Sequence, residues 1–213
     1  EEKVLYFARE KKGHEGVKGT VTEDFQGILV HDHEITFYRY GSAHQECLAH
    51  VERYLKDSME NESSLTWNRR MRELLQRMIH YRKEHTGETS LDPQTVAGFE
   101  AEYQEILDKA KEEYKRNEPS PYYHEGYNLY RRMQEYKTEH LLFLHDMRVP
   151  TTNNTAERCL RDYKRKQTFA MTFRSLESIE ELCHSKGVLL GVRKNNSNIY
   201  TAVMEIFNRR YGA

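Results

Sequence analysis

Two acids stand where their neighbours suggest chemistry. Asp32 closes the run Gly27-Ile28-Leu29-Val30-His31-Asp32, in which β-branched and aliphatic residues follow one another without alternation. Such a run predicts a strand buried on both faces. An acid at its carboxyl end lies where open α/β sheets place their sites, and its oxygens suit a hard cation such as Mg²⁺. Asp is also a common residue in turns that leave strands. Glu157 lies in Asn153-Asn154-Thr155-Ala156-Glu157-Arg158, just after a turn and just inside a predicted helix. Asn154 followed three residues later by Glu157 has the spacing of a capping box, so this carboxylate serves either a site or a helix end.

His44, Cys47 and His50 spell H-x-x-C-x-x-H. On one helix, three-residue steps drift by about 60° each, which carries His44 away from His50. No paired C-x-x-C or H-x₃-H completes a zinc set, so a packed or site-flanking role is expected. A zinc-dependent hydrolase built on these three residues would carry stoichiometric zinc. Cys159 and Cys183 read as small hydrophobes. Between Arg148 and Arg174, the cations Arg148, Arg158, Arg161, Lys164, Arg165, Lys166 and Arg174 face only Glu157 and Asp162. This stripe either meets phosphates or is a solvated helix with i,i+4 pairs, Arg158–Asp162 and Glu157–Arg161.

The elements that must hold these residues fall into three stretches. In the first, Val4–Ala8, 27–32 and 35–40 predict short strands, and His44 to Met59 predicts a helix. From about Ser64 to His145 the pattern turns helical. Its first stripe is Leu65, Met71, Leu74, Leu75, Met78 and Ile79; its second runs from Val96 to Tyr114 after a start at Asp92-Pro93. The third stripe is Tyr127, Tyr130, Met133, Tyr136, His140 and Phe143, beyond the loop Glu118-Pro119-Ser120-Pro121. The last stretch predicts helices over 155–166, 176–192 and 199–207, with a short extended piece at 169–173. The run Asn195-Asn196-Ser197-Asn198 is placed to cap the final helix.

Composition narrows the partners. The 213 residues carry 33 Lys+Arg against 34 Asp+Glu, so any nucleic-acid contact must come from a local patch rather than from net charge. No stretch approaches the roughly 20 apolar residues of a membrane span, and no basic-then-apolar segment opens the chain. The 3 cysteines, odd in number and far apart, argue against a disulfide framework and for a reducing cytoplasm. With 15 Tyr, 8 Phe and 7 Met there is bulky core material enough to disfavour disorder.

The order of the segments is more telling than any one of them. Phe25-Gln26-Gly27-Ile28-Leu29-Val30-His31-Asp32 precedes His44-Gln45-Glu46-Cys47-Leu48-Ala49-His50. Much later comes Val149-Pro150-Thr151-Thr152-Asn153-Asn154-Thr155-Ala156-Glu157-Arg158, then Leu160-Arg161. This resembles the catalytic domain of transposases of the insertion-sequence 66 family. Those enzymes have a strand ending in His-Asp, an H-x-x-C-x-A-H segment and a P-x-x-N-N-x-x-E-R-x-L-R motif. The likeness covers roughly residues 5 to 60 and 145 to 207; the middle third matches only in being helical.

The resemblance implies an α/β fold, a ribonuclease H-like core with a large all-helical insertion. Residues 1–60 would form the first part of the core, 61–146 the insertion, and 147–213 the second part with the Glu-bearing helix. It further implies a D-D-E carboxylate triad that holds two Mg²⁺ or Mn²⁺ ions. Asp32 corresponds to the second Asp and Glu157 to the Glu, both catalytic and metal-binding. Asn153, Asn154, His44, Cys47 and His50 would be structural supports, and Arg158, Arg161, Lys164 and Arg165 DNA contacts. The family's first Asp lies on a strand upstream of the segment matching Leu5 to Ala8. The expectation is therefore an N-terminally truncated fragment, impaired in metal binding and catalysis. The implied partners are transposon ends and target DNA, bound by a homo-oligomer, with no membrane. The alternative is a non-catalytic helical module for DNA or protein interaction, in which Glu157 merely caps a helix.

Overall fold

The computed structural model describes residues 4–170, 175–195 and 197–211. They are mostly helical, with one two-stranded parallel sheet, and they divide into two compact units: residues 24–158, and residues 1–23 with 159–213.

In the first unit, β1 (Ile28–His31) pairs in parallel with β2 (Ala43–Glu46), so that His31 stands opposite Glu46. The link between them is tight. Ile35–Arg39, predicted as a strand, is a 3₁₀ turn whose start is held by the Glu34 carboxylate, which accepts from the Thr36 N–H and hydroxyl. Gly41 follows with φ +76°, a left-handed conformation that a side chain would strain. The expectation that β1 is buried on both faces does not hold. Ile28 and Val30 pack on the helical core, while Leu29 points to the opposite face beside Gly41. With only two strands there is one layer to bury against.

Helix α2 (Leu48–Asn61) begins directly after β2, so the expected helix start at His44 is also corrected: residues 43–46 are strand. The first two middle stripes become α3 (Trp67–Glu84) and α4 (Pro93–Arg116), the latter opened by Asp92, whose side chain accepts from the Thr95 N–H. The third stripe breaks at Tyr136 into α5 (Glu125–Glu135) and α6 (Lys137–His145). Leu48, Val51 and Leu55 of α2 share one core with Trp67, Met71, Leu74, Leu75 and Met78 of α3, and with Tyr103, Ile106 and Leu107 of α4. The same core takes in Met133 of α5 and Leu141, Phe143 and Leu144 of α6. Gln45 ties the sheet to it. The Gln45 amide donates to the His140 carbonyl (3.3 Å), and its oxygen accepts from the Phe143 N–H (2.8 Å).

In the second unit, Val4–Ala8 belongs to no strand, contrary to expectation; Tyr6 and Ala8 are instead buried with Cys183. The Tyr6 ring lies 5.0 Å from that of Tyr163. A short helix, α1 (Gly13–Val17), follows. Helix α7 (Asn154–Ala170) runs from the first unit into the second, so Phe169 and Ala170 are helical, while 171–173 of the expected extended piece lie outside the described residues. Helix α8 (Leu176–Lys194) is capped by Ser175, whose hydroxyl accepts from the Ser178 N–H. Helix α9 (Ile199–Tyr211) is capped by Asn198, whose side-chain oxygen accepts from the Tyr200 N–H at 2.8 Å.

Candidate functional site

Three segments converge beyond the carboxyl ends of β1 and β2. The Cys47 N–H donates to the His31 carbonyl (2.8 Å), and the Leu48 N–H donates to the Thr151 carbonyl (2.9 Å). The Cys47 thiol accepts from the Asn153 N–H at 3.4 Å. Start of α2, end of the sheet and the turn before α7 are thus joined through backbone groups and the Cys47 thiol. Asp32, the residue after β1, is exposed, and among the described residues its carboxylate has no hydrogen-bond or ion-pair partner. Glu157 lies in the first turn of α7, and its Oε1 is 3.2 Å from His50 Nε2 in α2.

That pair bears on the capping alternative. The helix starts at Asn154 itself, and the first-turn bond is from the Glu157 N–H to the Asn153 carbonyl (3.1 Å). The Glu157 carboxylate turns towards His50 rather than back to a backbone N–H, and it makes no ion pair with Arg161 among the described residues. The Asp162 side chain lies outside the described residues, so the Arg158–Asp162 pair does too. Two polar atoms at this junction are buried without partners: His50 Nδ1 and Asn153 Oδ1. Asn154 is exposed.

His44, Cys47 and His50 do not share a helix: His44 is on β2, Cys47 in the turn and His50 in α2. Each has a separate task. His31 Nδ1–H donates to the Asp32 carbonyl, which leaves Nε2 to accept from His44 Nδ1–H at 3.2 Å, the tautomers following from the network. Burial pushes the pKa of His31 down, and that of His44 likewise. This neutral pair backs the Asp32 turn.

Sequence reasoning passed over Glu46. It is 1% exposed, yet its carboxylate is fully surrounded. One oxygen accepts from Tyr38 Oη–H and from His33 Nδ1 (2.7 Å). The other lies 3.2 Å from His140 Nε2 and 3.5 Å from Arg132 Nε, distances of ion pairs angled off the hydrogen-bond direction. Burial raises its pKa, but the contacts to His140 and His33 and the Arg132 charge outweigh this and hold it well below the usual carboxylate range. Glu46 therefore anchors the end of β2 to α5 and α6. No local signal could have found it: Glu46 lay in a segment expected to start a helix, and its partners His33, Tyr38, Arg132 and His140 are scattered along the chain.

The cations of α7 complete the inventory. Arg158, Arg161, Lys164 and Arg165 are all exposed, and their spacing puts Arg158, Arg161 and Arg165 along one side of the helix. Among the described residues no cluster of three or more His, Cys, Asp or Glu forms a full ligand set. The donor chemistry nonetheless suits a hard divalent cation: among the described residues there is one exposed carboxylate without a partner, and a second, 39% exposed, engaged only by a histidine.

A family model for the Transposase IS66 family matches residues 1–181, which takes in both acids, the Cys47–His50 segment and the middle helices. The chain belongs to the IS66 transposase family. No curated protein and no solved structure matches it. The segments that link Asp32 to Glu157 in this transposase are therefore segments of the family region itself, and no described helix is long and apolar enough to cross a membrane.

Proposed function

We propose that Asp32 and Glu157 belong to the carboxylate triad of a D-D-E DNA transposase, on a ribonuclease H-like core interrupted by helices. In this reading residues 1–60 and 147–213 contribute to the core and 61–146 are the insertion. The observation that supports it most is the chain of contacts that runs from β1 through Cys47 to Asn153, and from His50 to Glu157. Those contacts join the segments that carry two acids separated by more than half the sequence, in a family of transposases.

Asp32 and Glu157 would hold Mg²⁺ or Mn²⁺, two ions in the complete triad. Bound there, such a cation supplies Lewis-acid polarisation of a phosphodiester and a more acidic attacking hydroxyl. The residues have separable duties. Asp32 presents its carboxylate to solvent, where DNA arrives. His50 keeps Glu157 oriented until the carboxylate turns to its ligand, and Asn153 and Asn154 shape the turn that aims it. Arg158, one residue beyond Glu157, reaches a phosphate, and Arg161, Lys164 and Arg165 extend the contact along α7. Transposon ends and target DNA would be held in this way, with a homo-oligomer joining paired ends.

Titrating Mn²⁺ and reading its electron paramagnetic resonance signal tests the site without requiring turnover. Saturable binding that is lost in Asp32→Ala and in Glu157→Ala supports the assignment. Equal binding in wild type and both variants rejects it and leaves a helical interaction module.

A further inference from the structure

The middle helices hold a second concave surface, remote in sequence from both acids. A cavity of about 770 Å³ lies where the end of α4, the loop 117–124 and α5 meet. Tyr114, Tyr127 and Tyr130 form its aromatic wall; Lys111, Lys115 and Arg131 stand around it, with Glu118 the one carboxylate in the lining. We propose that this cavity takes an unpaired base of single-stranded DNA, with the adjoining phosphates held by Lys111 and Arg131. The proposal rests on the transposase reading for DNA as the partner, and goes beyond it in assigning a second DNA site.

The wall is built to receive a flat group. Tyr114 and Tyr130 are buried, and the three rings touch one another, with Tyr114–Tyr127 centroids 5.1 Å apart and Tyr127–Tyr130 5.8 Å. Tyr127 is half-buried, so its ring is the one with surface left to offer. An aromatic face with an uncovered side stacks any base, because every base has a π face. The wall is also fixed in advance. Tyr114 Oη–H donates to the Glu62 carboxylate (3.1 Å to each oxygen), and Tyr123 Oη–H pins the loop by donating to Asp57 (2.9 Å). Little ordering is left to be done on binding.

Charge selects the occupant. Lys115 is engaged by Glu112 at 2.6 Å. Lys111 and Arg131 are exposed and, among the described residues, have no carboxylate within ion-pair distance. Two uncompensated cations beside an aromatic face suit a base with its backbone phosphates. Paired bases are stacked within the duplex and cannot enter a concave wall, so the site favours single strands.

The test uses the full 213-residue chain and an oligodeoxynucleotide carrying one 2-aminopurine, as a single strand and in a duplex. Stacking quenches the fluorophore. Wild type is expected to quench the single strand and not the duplex. Tyr127→Ala should remove the quench and weaken single-strand binding about ten-fold, and Tyr127→Phe should restore both. The pair Lys111→Glu and Arg131→Glu, at exposed positions, should weaken single-strand binding by at least as much with an unchanged melting curve. Quenching independent of Tyr127, or single-strand affinity unaffected by the double charge reversal, overturns the site while leaving the carboxylate assignment standing. Failure of wild type to bind DNA in either form overturns this site and the DNA partnership together, whereas Mn²⁺ titration judges the carboxylates separately.

Discussion

Glu46 shows how much a single side chain carries here. Its carboxylate is buried among His33, Tyr38, Arg132 and His140, so removing its charge strands the Arg132 guanidinium in the interior. Taking one partner from such a cluster costs about 3 kcal/mol. Glu46→Gln keeps the shape and should therefore lower urea-unfolding stability by roughly that amount at neutral pH. The pH dependence has a definite sign. The folded-state pKa lies below that of an unfolded Glu, about 4.3, so protonation favours the unfolded chain. Wild-type stability should be fully present above about pH 5 and decline as acid is added, and the variant should give a flatter profile over that window. Asp32 and Glu157 were singled out as candidates because each sits in a motif. Glu46 was not, because its partners come from three separate segments and nothing in Gln45-Glu46-Cys47 reveals that the side chain points inward. Whether a histidine is a ligand or a neighbour was equally hidden: His44 and His50 turned out to sit on different elements, one backing His31 and the other facing Glu157.

At the scale of elements, long amphipathic helices were readable from periodicity alone, and α3 and α4 lie close to where the sequence put them. Short elements were not. Strand β2 contains Ala, His, Gln and Glu, with no β-branched residue, and is held in place by pairing to β1 and by the Gln45 bonds to α6. The break at Tyr136 has neither Gly nor Pro to announce it. At the break the Tyr136 ring lies tilted against Tyr38 at 4.6 Å and edge-on to His33 at 5.1 Å, while His140 one turn later reaches Glu46. Gly126 was equally silent in the sequence, yet the packing of α5 on α2 depends on it. A Cβ there would overlap the Glu62 carboxylate, which is held in place by Ser58 and Tyr114, and would lie 2.9 Å from Ser58 Oγ. Gly126→Ala must push α5 outward or break those hydrogen bonds. The expected loss is about 1–3 kcal/mol, visible as a lower denaturation midpoint with an unchanged urea slope.

For the molecule as a whole, the order of segments carried more information than their composition. A balance of 33 basic against 34 acidic residues gives no hint of DNA, and the basic side of α7 becomes meaningful only beside Glu157 and a family of transposases. The two readings of that stripe, phosphate contact or solvated helix, differ in what salt does. If Arg161 and Lys164 each neutralise a phosphate, binding releases counterions, and the logarithm of affinity for duplex DNA falls with the logarithm of salt by about 0.9 per contact. Replacing both by Ala should then flatten that slope by roughly 1.8 and weaken binding most at low salt. Sequence preference should not change, since phosphate contacts position a protein without reading bases. Fluorescence anisotropy on a labelled duplex between 50 and 300 mM salt measures the slope directly. A double variant whose slope matches wild type would return α7 to the role of a solvated helix and move the DNA contact elsewhere on the surface. The substitution touches only exposed side chains, so a change in slope cannot be ascribed to a disturbed core.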